Sequence, residues 1–233
     1  MKIWPVASSL ALAMILIGGA ALGQDNAPQP AAKPAKGAAA KAPVPAAAPT
    51  AAPASADEAI ARANAYFNKA TTMVANFVQL GADRKRLEGR LFVEKPGRMR
   101  FEYDPPAPVE IVADGTSVAV RDIKLAKQDL YFIGQTPLKF LLQDHIDLAT
   151  DTKVLNVDSN AKTTSIAVED SATFGGTSRI TLVFDTATFQ LRQWIVLDPQ
   201  GFETTISLFN VDYSKRPDPA LFKINQDRFD TRN

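Results

Sequence analysis

The chain encodes a mainly β protein, an antiparallel meander of many short strands, and three observations predict it. Apolar residues beyond the N-terminal third recur with period two, as Met99, Phe101 and Tyr103 do against Arg98 and Arg100. Turn-forming clusters punctuate these runs at short intervals: "KPG", "DG", "DSNA", "FGGTS", "DTAT" and "DPQG". No alternating strand–helix rhythm occurs, which argues against a parallel nucleotide-binding sheet.

The elements follow in order. Ser55 and Glu58 have capping-box spacing, and Ile60, Ala63, Phe67, Ala70 and Val74 share one helical face, which predicts a helix over 57–74. The pattern then switches to period two. Phe77 and Gln79 fall in one strand, and Leu87, Leu91 and Val93 mark the next. The turn at 95–97 leads into a strand over 98–103. Asp114-Gly115 joins strands 109–113 and 116–121 as a hairpin. Later strands are expected at 153–158, 163–169, 179–184, 190–197 and 202–211. One helix interrupts them over 137–142, with Thr136 as its cap, Pro137 at its first position and Leu138, Leu141 and Leu142 as its apolar face.

Three regions divide the chain. Residues 1–23 read as a cleavable signal peptide: Lys2, an apolar run "LALAMILI", and small residues before Gln24. An uncleaved anchor is the alternative, at the lower length limit for a membrane span. Residues 24–56 are an Ala/Pro/Lys-rich linker that cannot bury enough apolar surface to order itself. Residues 57–233 form the folded domain.

Composition excludes several functions. A net charge of +1 argues against nucleic acid. Zero cysteine removes disulfides, thiol nucleophiles and thiolate metal sites, and the single histidine, His145, leaves no His-rich metal site. P-loop, GxGxxG, GxSxG and HExxH motifs are absent, so no catalytic residue, metal ligand or cofactor is assigned. Asp144-His145, without a serine elbow, reads as the end of a helix. The apolar strand face of Phe77, Leu91, Val93, Met99, Phe101, Tyr103 and Ile111 exceeds what two helices can cover. Either the sheet closes on itself and packs these residues as core, or it leaves an apolar hollow under helical lids.

The run "GRLFVEKPGRMRFEYDPPAPVEIVADG" (89–115) resembles the outer-membrane lipoprotein carrier, the LolA family, in which a basic-Pro turn leads to an aromatic strand and a "DG" hairpin. "FVQ" at 77–79, "QTPLKFLL" at 135–142 and "DPALFKI" at 218–224 extend the resemblance in order over about 57–229. It implies an unclosed antiparallel β-barrel, a half-barrel of LolA/LolB type, with short helical lids over an apolar cavity. It also implies a monomeric, non-enzymatic periplasmic chaperone. Such a carrier takes lipoproteins from an inner-membrane ABC exporter of the LolCDE type to an outer-membrane receptor of the LolB type.

On that footing the strand face above, with Leu138, Leu141 and Leu142 of the lid, would contact acyl chains. The family latches its lid with an arginine just before the proline of the basic-Pro turn. Lys95 stands there in this chain, with Arg98 or Arg100 as substitutes. A lipid- or lipoprotein-sensing envelope regulator is the nearest alternative. An exported hydrolase with an unrecognised site and a membrane-tethered scaffold are others.

Overall fold

The computed structural model describes residues 55–225. The expected leader (1–23) and most of the linker (24–56) lie outside these residues.

Helix α1 (Ala56–Lys69) starts where the sequence requires: the Ser55 hydroxyl accepts from the Glu58 amide at 3.2 Å, and Asp57 and Glu58 favour the positive end of the helix dipole. It stops five residues short of the expected end. Val74 belongs instead to strand β1 (Thr72–Leu80), because this β-branched stretch pairs on both sides with other strands. Tertiary hydrogen bonding overrides the helical periodicity here.

Strands β2 (Arg86–Glu94), β3 (Arg98–Tyr103), β4 (Val109–Asp114) and β5 (Ser117–Asp122) follow as antiparallel hairpins. Strand β6 (Lys127–Phe132) was not foreseen. It is an edge strand of largely polar sequence, with Leu130 and Phe132 exposed, so it lacks the inward apolar alternation. The remaining strands are β7 (Lys153–Ser159), β8 (Thr163–Asp170), β9 (Ser178–Asp185), β10 (Leu191–Leu197) and β11 (Glu203–Asp212). All eleven form one antiparallel sheet, in the order β6-β5-β4-β3-β2-β1-β11-β10-β9-β8-β7. β6 and β7 do not pair, so the curled sheet is an unclosed half-barrel, as the resemblance implied.

The connection between the two unpaired edges, residues 133–152, crosses the concave face. It carries a 3-10 turn (Ile133–Gln135), helix α2 (Lys139–Leu142) and a further short helix, α3 (Leu148–Asp151), which the sequence did not announce. α2 is shorter than expected. The Thr136 hydroxyl is spent on the carbonyl of Ile133 at 2.8 Å rather than on a cap, and Leu138 occupies the cap position without a side-chain bond.

α1 lies over the same face and buries Ala59, Ala63 and Phe67. Its asparagines clamp the crossing segment. Asn64 donates to the Asp147 carboxylate at 2.9 Å and accepts from the Leu148 amide at 3.0 Å. Asn68 donates to the Ile146 carbonyl at 3.0 Å and accepts from the Ile146 amide at 2.8 Å. Spaced by one helical turn, the two amides replace the sheet partners that 146–148 cannot find.

Asn68→Ala should therefore cost about 1–3 kcal/mol, since it leaves two backbone groups of Ile146 unpaired. Urea unfolding measures this. Amide exchange at Ile146 should accelerate more than at β10; unchanged exchange at Ile146 would show that the clamp does not hold the roof.

Candidate functional site

Beneath the roof the concave face divides into two parts. One end is solid. Phe67 of α1, Phe140 of α2 and Trp194 of β10 make a chain of edge-on ring contacts, with centroids 5.6 and 6.0 Å apart. Trp194 also meets Phe101 at 6.4 Å, and Phe101 meets Phe77 at 5.0 Å. Such pairs add to the burial energy of the rings themselves.

The other end is hollow, about 540 Å³, within the size range of small-molecule pockets. Phe101 and Tyr103 of β3, Val109 and Ile111 of β4, and Val120 of β5 form one wall. Trp194 and Val196 of β10 with Thr204 and Ile206 of β11 form the other, and Leu138 and Pro137 lie at the roof. Tyr131 of β6 and Phe174 of the β8–β9 loop, 6.0 Å apart, reach across the gap between the two arms of the sheet. The Phe174 amide also donates to the Gln135 carbonyl at 2.7 Å.

The residues singled out in the sequence separate accordingly. Phe101, Tyr103, Ile111 and Leu138 line the hollow. Phe77, Leu91, Val93 and Met99, with Leu141 and Leu142 of α2, are buried in the solid end under the roof. Trp194, at the junction of the two ends, was not singled out. β10 read as an ordinary strand, and only the register Trp194↔Ile206 places the indole inward. Tyr103 is paired within the lining: its hydroxyl donates to the Gln79 side-chain oxygen at 2.7 Å, and burial holds its pKa well above the phenol range. Burial, helped by the Asp129 charge, pushes Tyr131 up to about 12.

The basic residues of the β2–β3 hairpin part company. Lys95 turns to the helices, and its ammonium donates to the Phe67 carbonyl of α1 at 2.6 Å, not to α2. In the same turn the Gly97 amide donates to the Leu142 carbonyl, the end of α2, at 2.8 Å. Gly97 has φ +77°, and a Cβ there would meet Gly115 Cα at 2.7 Å, so this roof contact requires glycine. Arg98 and Arg100 lie on the convex side. Arg98 pairs with the buried Glu94 at 3.2 Å, and Arg100 pairs with Glu110 and donates to the Leu221 carbonyl at 3.2 Å. Neither reaches the roof, because period two sends them opposite to Met99 and Phe101.

The roof has a second charged tie. Lys139 of α2 meets Asp170, at the end of β8, at 2.9 Å, with both side chains almost fully buried. Among the described residues no group of three His, Asp or Glu side chains could hold a metal ion. His145 is exposed in the loop between α2 and α3, away from the hollow's lining.

An unclosed antiparallel half-barrel, roofed by helices and holding an apolar hollow, defines a binding fold of the LolA type. The chain belongs to the family of the outer membrane lipoprotein carrier protein LolA, whose model matches residues 68–225. An outer-membrane lipoprotein carrier protein of Nitrosomonas europaea is 33% identical over 92 residues, which is 36% of this chain and 45%, about half, of that protein. The carrier protein of Legionella pneumophila is 26% identical over 166 residues, 68% of this chain and 81% of its own. Among solved structures, a LolA superfamily protein of N. europaea aligns with a TM-score of 0.42 at 10% identity, over 73% of this chain and 98% of that one. MucB aligns at 0.40 and 11%, over 73% and 63%.

Lys95 carries a pH signature. Burial lowers its pKa from 10.5 to about 8, partly offset by the Asp144 charge. A folded pKa below the unfolded one means that burying the charge is a penalty at low pH. The penalty is relieved between about pH 8 and 10.5, where the unfolded chain binds the proton and the folded chain does not. Wild type should therefore gain stability relative to Lys95→Met across that window, in urea melts at several pH values. Parallel curves would mean that Lys95 is solvated.

Proposed function

We propose that this protein is a periplasmic chaperone that binds the acyl chains of lipoproteins and carries them from an inner-membrane ABC exporter to the outer membrane. The observation that carries the reading is the 540 Å³ hollow, lined mainly by apolar side chains and roofed by the segment 133–152. An acyl chain gains about 0.8 kcal/mol for each methylene removed from water. A half-open container removes part of that surface and still releases it.

Family membership and the names of the relatives support a carrier role. The LolCDE-type exporter and LolB-type receptor are the partners this role requires. Residues 1–23 serve as its export signal, 24–56 as a linker, and 57–233 as the carrier domain. Binding is non-enzymatic.

In this reading Phe101, Tyr103, Ile111 and Leu138 meet the acyl chain first. The solid end is the reserve: when α2 lifts, Phe77, Leu91, Val93 and Met99 become available, and Leu141 and Leu142 move with the roof. Lys95 and the Gly97 amide hold the empty, closed state, so cargo competes with the roof for the same face. Arg98 and Arg100 brace the β2–β3 hairpin from outside.

The experiment is transfer of a lipidated protein from membrane to carrier in solution. Ile111→Asp places a charge on a half-buried cavity wall without removing a core ring, and should reduce uptake at least tenfold while circular dichroism stays that of the wild type. Normal uptake by the folded variant would remove this wall from the binding surface. Absence of uptake by wild type would remove the carrier role.

A further inference from the structure

The polar groups of the hollow are mostly paired internally. Tyr103 bonds Gln79, Thr136 bonds Ile133, and Asp122 accepts from the Leu125 amide. Against that background the β10–β11 wall is unusual. Trp194 is fully buried, yet its indole Nε1 has no hydrogen-bond partner among the described residues. Thr204 is 5% exposed, and its Oγ1 has none either. The two lie on the same inward face. Thr204 faces Val196 across the ladder, diagonal to Trp194, so their side chains border one patch of wall. Asp198 Oδ2 and Tyr131 OH are likewise unpaired in the lining.

The indole N–H is donor-only, so an acceptor from water or from a ligand is needed to complete it. A hydrocarbon pressed against this wall would leave the N–H buried and unsatisfied. A charged acceptor is disfavoured, since it would shed its hydration against a mainly apolar wall, and the lysines of the lining, Lys85 and Lys127, already pair with Asp83 and Asp129. A neutral carbonyl oxygen meets both conditions, and the Thr204 hydroxyl can give it a second bond.

We propose that Trp194 and Thr204 form a subsite for the acyl carbonyl, the ester or amide oxygen that joins each fatty chain to its carrier molecule. The subsite rests on the acyl-chain reading above and deepens it. The hollow then selects acylated ligands over plain hydrocarbon. It also fixes the depth at which a chain sits, with its methylenes against Phe101, Ile111 and Val120.

The test compares 1,2-dioctanoylglycerol, whose chains are ester-linked, with 1,2-di-O-octylglycerol, whose ether-linked chains lack the carbonyls. Binding of each to the protein is measured by titration calorimetry. Wild type should prefer the ester about tenfold or more. Trp194→Phe, which keeps an aromatic ring but loses the N–H, should bring the preference close to unity. Thr204→Val, nearly isosteric, should reduce it partway. The ester-to-ether ratio is the readout, so a general loss of packing in a variant, which weakens both ligands together, does not mimic the effect. Equal affinity of wild type for the two glycerides, or a preference unchanged in both variants, overturns the subsite while leaving the acyl-chain reading standing. Failure of wild type to bind either glyceride overturns both.

Discussion

The structure depends on one contact above all, the ring of Phe140 held between Phe67 and Trp194. It is where roof, first helix and sheet meet. A four-residue helix such as α2 has no independent stability, since so short a helix cannot offset its nucleation cost. It exists because Phe140, Leu141 and Leu142 are buried on landing. An eleven-stranded sheet with two unpaired edges has a concave apolar face too large for its covers, and this aromatic stack decides where cover ends and hollow begins.

Around that stack the roof is fastened at its margins by polar links. Asn64 and Asn68 hold the α3 side, Lys95 and the Gly97 amide hold the β2–β3 turn, and Lys139 with Asp170 holds the β8 end. The last is a buried ion pair, whose desolvation cost offsets much of its attraction, so its use lies more in position than in net stability. Links of this kind have definite geometry and are lost together once the segment shifts. Apolar packing alone would allow graded sliding. Together these links hold the roof in one register over the concave face.

The apolar and the charged face of β3 show how one strand serves two ends. Met99, Phe101 and Tyr103 point into the core and hollow, while Arg98 and Arg100 knit the outside to Glu94, Glu110 and the Leu221 carbonyl. The 3-10 turn Pro219–Phe222 packs there, with Phe222 buried. The greasy face and its adjacent cations are thus consequences of period two on a sheet covered differently on each side.

Sequence by itself determined the meander, the capped start of α1 and the inward set on β3, because local periodicity and turn chemistry dictate them. It resembled the LolA family closely enough to imply an open half-barrel. Tertiary structure decided the rest. Val74 left the helix because strands waited on both sides. β6 carries no apolar alternation because an edge strand buries little. Lys95 meets α1, while Gly97 of the same turn meets the end of α2, because the curl of the sheet, which no local pattern encodes, brings both helices over the turn. Whether Phe101 or Phe77 borders open space was likewise undecidable from period two, which places both on the inner face. Only the position of Trp194 and the roof against it separates the filled end from the empty one.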